Sequence, residues 1–208
     1  RIRDYFSDAM FPGISSLHQH AKYYVLLPLL YNKATTFRYT RPQDVRPQIV
    51  KQEKDLTEVL YNNSEQKTGI TGRDFIGKNG YVRYDPTYIY ATGLMKFGII
   101  QCESIEEMIY AASKRRMDTS PSDNEDGDPD ISTNPLQFVH IPTDLGYDWE
   151  TQSSLDLTKT EAEFIVNHIT CSKACDGSLL SHIISNRLDL TDTETFESFV
   201  VKYSRSLP

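Results

Sequence analysis

Apolar residues recur at helical spacing along most of this chain, and clusters of Pro, Gly and acidic residues interrupt them. Residues 4–10 predict a short helix, closed by Pro12-Gly13. That dipeptide favours a type II turn, because Pro presets φ and Gly accepts a positive φ. From Ser15 or Ser16 the spacing predicts a long, central helix. Leu17, Ala21, Tyr24 and Pro28 share one face of it, and His20, Tyr23, Leu27 and Leu30 the next. Pro28 is expected to kink or end it, since proline lacks the N–H and clashes with the preceding turn. Residues 48–62 predict an amphipathic helix with Ile49, Leu56, Val59 and Leu60 inward. Lys51, Glu53, Lys54, Asp55 and Glu58 would form its wet side.

Asp85-Pro86 reads as an N-cap followed by proline at the first helical position. Tyr90, Leu94 and Phe97 then line one face, and Gly98 stops the helix. Three further helices start at capping boxes, in which Ser/Thr and a Glu three residues on satisfy free N–H groups reciprocally. These are Ser104…Glu107, Thr158…Glu161 and Thr191…Glu194. A short helix over residues 178–186 carries Leu179, Leu180, Ile183 and Ile184.

Two stretches break the helical pattern. Residues 64–85 form a Gly-rich, basic connection, and its Asn79-Gly80 is a hairpin dipeptide, which allows a small β-ribbon near 70–84. Residues 118–130 hold six acids and no base, so the segment buries too little to offset its ordering entropy. The expected fold class is therefore mainly α: a helical domain around a central helix. Its expected organisation is a helical N-terminal part over 1–116, an acidic linker or mobile loop over 117–150, and a helical C-terminal part over 151–208.

Charge divides along the same line. Residues 1–116 carry 17 Lys/Arg against 12 Asp/Glu, and residues 117–208 carry 5 against 17, within a net charge of −7. The basic half could face a phosphate backbone, and the acidic half would repel one. The longest aliphatic run, residues 25–30, is too short to span a bilayer, so no membrane partner is expected. Three cysteines do not make a secreted disulfide framework, and the cytoplasm is the expected location. The chain opens on Arg1 rather than Met and reads as a fragment or a processed form.

Candidate chemistry is sparse. The acidic stretch fails as a calcium loop, because aligning on Gly127 puts Ser122 and Thr133 where Asp and Glu are needed. His168, Cys171, Cys175 and His182 make the nearest approach to a metal signature, since zinc takes Cys and His in pairs that a turn can bring together. Their spacing is no known zinc finger's, and two buried thiols at a helix end is the competing reading. His18 and His20, two apart on a helix, would point about 200° apart and could not share an ion. No nucleophile elbow, phosphate loop or dinucleotide fingerprint is present, and no cofactor is implied. The basic stretch 38–83 interleaves cations with aromatics, a composition that suits nucleic acid. Its candidate contacts are Arg38, Arg41, Arg46, Arg73, Lys78, Arg83, Tyr81 and Tyr84.

Three blocks resemble a bacterial family of unknown function with an N-terminal F-P-G-x-S motif. They are Arg3-Asp4-Tyr5-Phe6 with Phe11-Pro12-Gly13-Ile14-Ser15 and Ala21-Lys22-Tyr23-Tyr24; then Gly72-Arg73 with Pro86, Ile89-Tyr90, Gly93-Leu94 and Gly98-Ile99; then Leu157-Thr158, Glu161-Ala162-Glu163-Phe164 and Ser178-Leu179-Leu180. Lys22 stands where that family usually has Arg, and Ala91 where it has Trp. The resemblance implies a setting in mobile or phage-defence loci, a further C-terminal part, and no catalytic residues. The expected function is a non-enzymatic interaction module with a protein partner; the alternative is DNA or RNA binding through residues 38–83.

Overall fold

In the computed structural model, which describes residues 2–118, 139–190 and 195–203, nine α-helices carry the chain. Among the described residues there is no strand; one isolated antiparallel bridge joins Ile100 to Val139. The central element is α2, Tyr23–Ala34, after a short α1, Ile2–Met10. Ten of the twelve residues of α2 are buried, so it is apolar all round, as a helix enclosed by others must be. Four helices pack on it: α3 (Val45–Asn63), α4 (Pro86–Lys96), α5 (Ile105–Asp118) and α7 (Lys159–Cys171). Between α5 and α7 lies the single turn of α6, Trp149–Gln152; α8 (Leu179–Ser185) and α9 (Phe196–Tyr203) follow.

Local signals place most boundaries. Asp85 caps α4 by accepting the Tyr88 amide, with Pro86 at the first helical position. Gly98, at φ +68°, ends it. The Thr158/Glu161 box is complete at the start of α7. Ser104 Oγ accepts the Glu107 amide ahead of α5, and Ser178 caps α8. The Thr191…Glu194 box and the acidic stretch beyond Asp118 lie outside the described residues. One apolar cluster brings Ile165, Ile169, Cys175 and Leu180 from the C-terminal part onto the core built by α2 to α5.

The structure departs from the sequence reading at four places. The long helix predicted from Ser15 begins only at Tyr23, and residues 13–22 form turns. Tertiary bonds override the periodicity there: the Tyr90 hydroxyl accepts both the Gln19 and the His20 amides at 3.1 Å. Pro28 neither ends nor interrupts α2. With the helix starting five residues earlier, its missing N–H removes one bond and leaves a single turn ahead of it. The ribbon allowed over 70–84 is instead a string of turns around a 3-10 turn, Arg73–Phe75, with Gly72, Gly77 and Gly80 all at positive φ. Successive left-handed residues turn the chain too often for a ladder to form. Finally, Glu53 is not on the wet face of α3 but fully buried.

A candidate partner-binding groove

The turns of residues 13–22 become one wall of a groove of about 690 Å³. Ile14, Leu17 and His18 line that wall; Tyr88, Ile89, Ala91 and Met95 of α4 face them; Glu103 to Glu106 at the start of α5 close one end. Two glycines let the wall approach α4. A Cβ on Gly13, which sits at φ +73°, would lie 2.9 Å from the Gly93 Cα. A Cβ on Gly93 would lie 2.8 Å from the Gly13 carbonyl oxygen and 2.4 Å from the Tyr24 hydroxyl. Backbone this close on both sides excludes any side chain.

Aromatic packing fixes the wall from beneath. The His18 ring stacks on Tyr90 with centroids 4.6 Å apart, and Tyr23 stacks on Tyr90 at 4.9 Å. His18 Nε2 lies 2.8 Å from the Ile89 carbonyl, and Nδ1 lies 2.9 Å from the Tyr24 hydroxyl. A carbonyl only accepts, so Nε2 carries the proton and Nδ1 accepts from Tyr24. Burial lowers the His18 pKa against the opposing pull of the Ile89 carbonyl, which agrees with this neutral tautomer. Both ring nitrogens of His18 are thus engaged in hydrogen bonds that hold the ring in the wall.

Electrostatics under the groove centre on α4's first turn. Arg46 pairs with Asp85, and its other guanidinium nitrogen lies 3.7 Å from Glu106. Burial alone would lower the Arg46 pKa; Asp85 and Glu53 beside it raise it. Glu53 accepts the Thr87 amide at 2.7 Å, and Thr87 in turn receives the Tyr31 hydroxyl at 2.9 Å. Burial first, then the Asp85 charge, push the Glu53 carboxyl up to about 7.

The candidate nucleic-acid residues do not form one surface of free charge. Arg41 pairs with Asp44, Arg46 with Asp85 and Glu106, and Arg73 with Asp74 while also donating to the Lys67 carbonyl. Arg38 and Lys78 are exposed. Lys78 lines a small cleft with Lys54, Phe75 and Tyr81, where the Lys54 ammonium stands 5.6 Å above the Tyr81 ring. Arg83 lies over the Tyr84 ring at 5.2 Å, and Tyr84 stacks on Tyr88 at 5.0 Å, at the edge of the groove.

The four candidate metal ligands are not gathered. Cys175 is turned fully into the core, whereas Cys171 is exposed at the end of α7. His168 packs on His140 and Phe164, and burial, then the neighbouring His140, lower its pKa. His182 approaches Asn186 on α8. Among the described residues no group of three or more His, Cys, Asp or Glu is placed to hold a metal ion. No helix among them is long and apolar enough to cross a membrane.

Sequence reasoning missed Glu53 and Tyr88. The signal for Glu53 was present: it lies four residues after Ile49 and three before Leu56, on the buried stripe. No protein-family model, curated protein or solved structure matches this chain.

Proposed function

We propose that this chain is a non-enzymatic interaction module that holds a basic segment of a protein partner in the groove between residues 13–18 and α4. The groove rim carries the reading. Ile14, Leu17 and Tyr88 are 37%, 48% and 61% exposed there, beside the carboxylates of Glu103 and Glu106. Glu106 is shared with Arg46, so Glu103 is the rim acid that, with these apolar anchors, suits a segment pairing apolar side chains with Lys or Arg, and Tyr88 offers a cation a ring face. The resemblance of the Phe11 to Ser15 block to the bacterial family supports a setting in a cytoplasmic defence assembly. A photo-crosslinking residue placed at Leu17 tests it in cells. Protein adducts are expected there and not from a control at Val201 on α9, and Glu103→Lys should weaken them. Adducts to nucleic acid instead, or equal labelling from both positions, would remove the reading.

A second reading is favoured by the Arg83, Tyr84 and Tyr88 stack, which presents a cation and an exposed ring face of the kind that takes unpaired bases. A gel shift across a salt series tests it. Retention that falls with salt and is lost in the Arg83→Ala, Tyr84→Ala double variant supports single-strand binding. No retention at low salt excludes it.

A further inference from the structure

Beside the groove stands a ridge. Tyr84 and Tyr88, 42% and 61% exposed, stack at 5.0 Å along the groove's edge. The backbone beneath them is fixed. Asp85 accepts the Tyr88 amide at 2.8 Å and pairs with Arg46, and Glu53 accepts the Thr87 amide at 2.7 Å. Two exposed rings on so rigid a base lose little freedom when a partner covers them.

Charge divides between ridge and groove. Arg83 lies over the Tyr84 ring and is exposed, with no ion pair or hydrogen bond among the described residues. A guanidinium held against a ring keeps its N–H fork for a carboxylate. Glu103, at the end of the groove, is exposed and has no ion-pair partner among the described residues, whereas Glu106 is shared with Arg46. One face of the molecule thus carries a groove with an unpaired acid and, next to it, an aromatic ridge with an unpaired base.

We propose that the partner held in this groove is a second copy of the chain. The two copies meet face to face about a twofold axis, the Arg83–Tyr84–Tyr88 ridge of each seated in the groove of the other, with Arg83 paired to Glu103 across the interface. The inference rests on the groove being a protein-binding site, as proposed above, and names its occupant. Charge complementarity carries it: the groove suits a segment that joins apolar surface to a cation, and Arg83-Tyr84 is such a segment on the same face. A twofold axis makes every such contact twice and closes the assembly at two copies. The exposed apolar side chains of Ile14 and Leu17 are covered in the same step.

Sedimentation velocity on the intact protein across a concentration series tests this. The parent should pass from monomer to dimer as concentration rises. Arg83→Glu and Glu103→Arg should each weaken dimerisation at least about tenfold, because each sets like charges opposite one another twice. An equimolar mixture of these two variants should dimerise again, since every pair across the axis is then of opposite sign. Arg38→Glu, the same charge change at an exposed residue outside the groove lining, should have no effect. A parent that stays monomeric up to about 0.1 mM, a dimer that neither variant weakens, or a mixture that does not associate would overturn the inference. The Leu17 crosslink separates that failure from failure of the groove reading. An adduct of twice the chain mass, lost in Arg83→Glu, supports the second copy. An adduct with a different protein overturns it and leaves the groove a protein site. A monomeric parent whose Arg83 and Tyr84 retain a single-stranded oligonucleotide assigns the ridge to nucleic acid and overturns it as well.

Discussion

Glu53 Oε1 accepts the backbone N–H of Thr87 at 2.7 Å, in a place closed to solvent. The bond ties α3 to the first turn of α4, where an unpaired helix N–H faces inward. It also sets a pH dependence. Burial, then the Asp85 charge, push the Glu53 carboxyl up to about 7, whereas an unfolded Glu titrates near ~4.3. Between those values the folded chain keeps a proton that the unfolded chain has lost. Stability contributed by this group is therefore full at acid pH and falls as pH rises through about 7, by on the order of 3 kcal/mol. The urea midpoint should be higher at pH 5 than at pH 8. Glu53→Gln keeps the acceptor and removes the charge, so it should raise the pH 8 midpoint and flatten the difference. A variant with the same pH profile as the parent would contradict this.

Lys22 and Glu161 form a second buried relationship, 2.7 Å apart and almost wholly closed to solvent. Lys22 also donates to the Asp156 carbonyl at 2.9 Å, and Tyr147 and the Thr158 amide donate to Glu161. Burial alone would raise the Glu161 carboxyl, but these bonds together hold it below its ordinary value. Its stabilisation is thus present above ~4.3 and lost as pH falls through the folded pKa. Lys22→Met strands a carboxylate in the interior and should cost about 3–5 kcal/mol by chemical denaturation. The Lys22→Met, Glu161→Leu double variant should recover part of that loss, since no charge is then stranded. A double variant as unstable as the two single losses combined would show that the pair is not coupled.

How far these arrangements could be read from the sequence follows from their range along the chain. Asp85, Pro86, Gly98 and the Thr158/Glu161 box act within a turn of themselves, and each was legible. The stripe of Ile49, Glu53, Leu56 and Leu60 was also legible as spacing; habit placed a Glu outside. The groove was not. Its wall depends on the Tyr90 hydroxyl meeting amides 70 and 71 residues earlier, a contact that turns an apparent helix into turns. The basic composition of 38–83 was plain, but the pairing of Arg46 with Asp85, 39 residues away, was not.

The three thiols differ enough to be told apart chemically. Cys171 is exposed. Burial, then Glu106, push the Cys102 thiol up to about 11, and burial raises that of the fully enclosed Cys175. Reactivity follows the exposed thiolate. A disulfide reagent at neutral pH should show one fast phase, removed by Cys171→Ser, with Cys175 reacting only on unfolding. Added zinc should not slow the fast phase. Joint protection of Cys171 and Cys175 by zinc would restore the metal reading of the His168 to His182 cluster.

Gly93 and Gly98 separate groove architecture from simple backbone cost. A Cβ at Gly93 meets the Tyr24 hydroxyl at 2.4 Å and the Gly13 carbonyl at 2.8 Å, whereas one at Gly98 meets nothing within 4 Å. Gly98 nevertheless sits at φ +68°, so alanine there strains the backbone by about 1 kcal/mol and touches nothing else. Gly93→Ala must displace Tyr24 or the Gly13 carbonyl, an overpacking that costs about 1–3 kcal/mol. Tyr24 holds His18 Nδ1, so that displacement reaches the groove wall. Both variants should lower the thermal midpoint. Only Gly93→Ala should change the nitrogen chemical shifts of the His18 ring, as Nδ1 loses its donor and the fixed tautomer relaxes. A Gly93→Ala protein with the parent's His18 spectrum would mean that the wall does not depend on this approach, and that the groove's shape is set elsewhere.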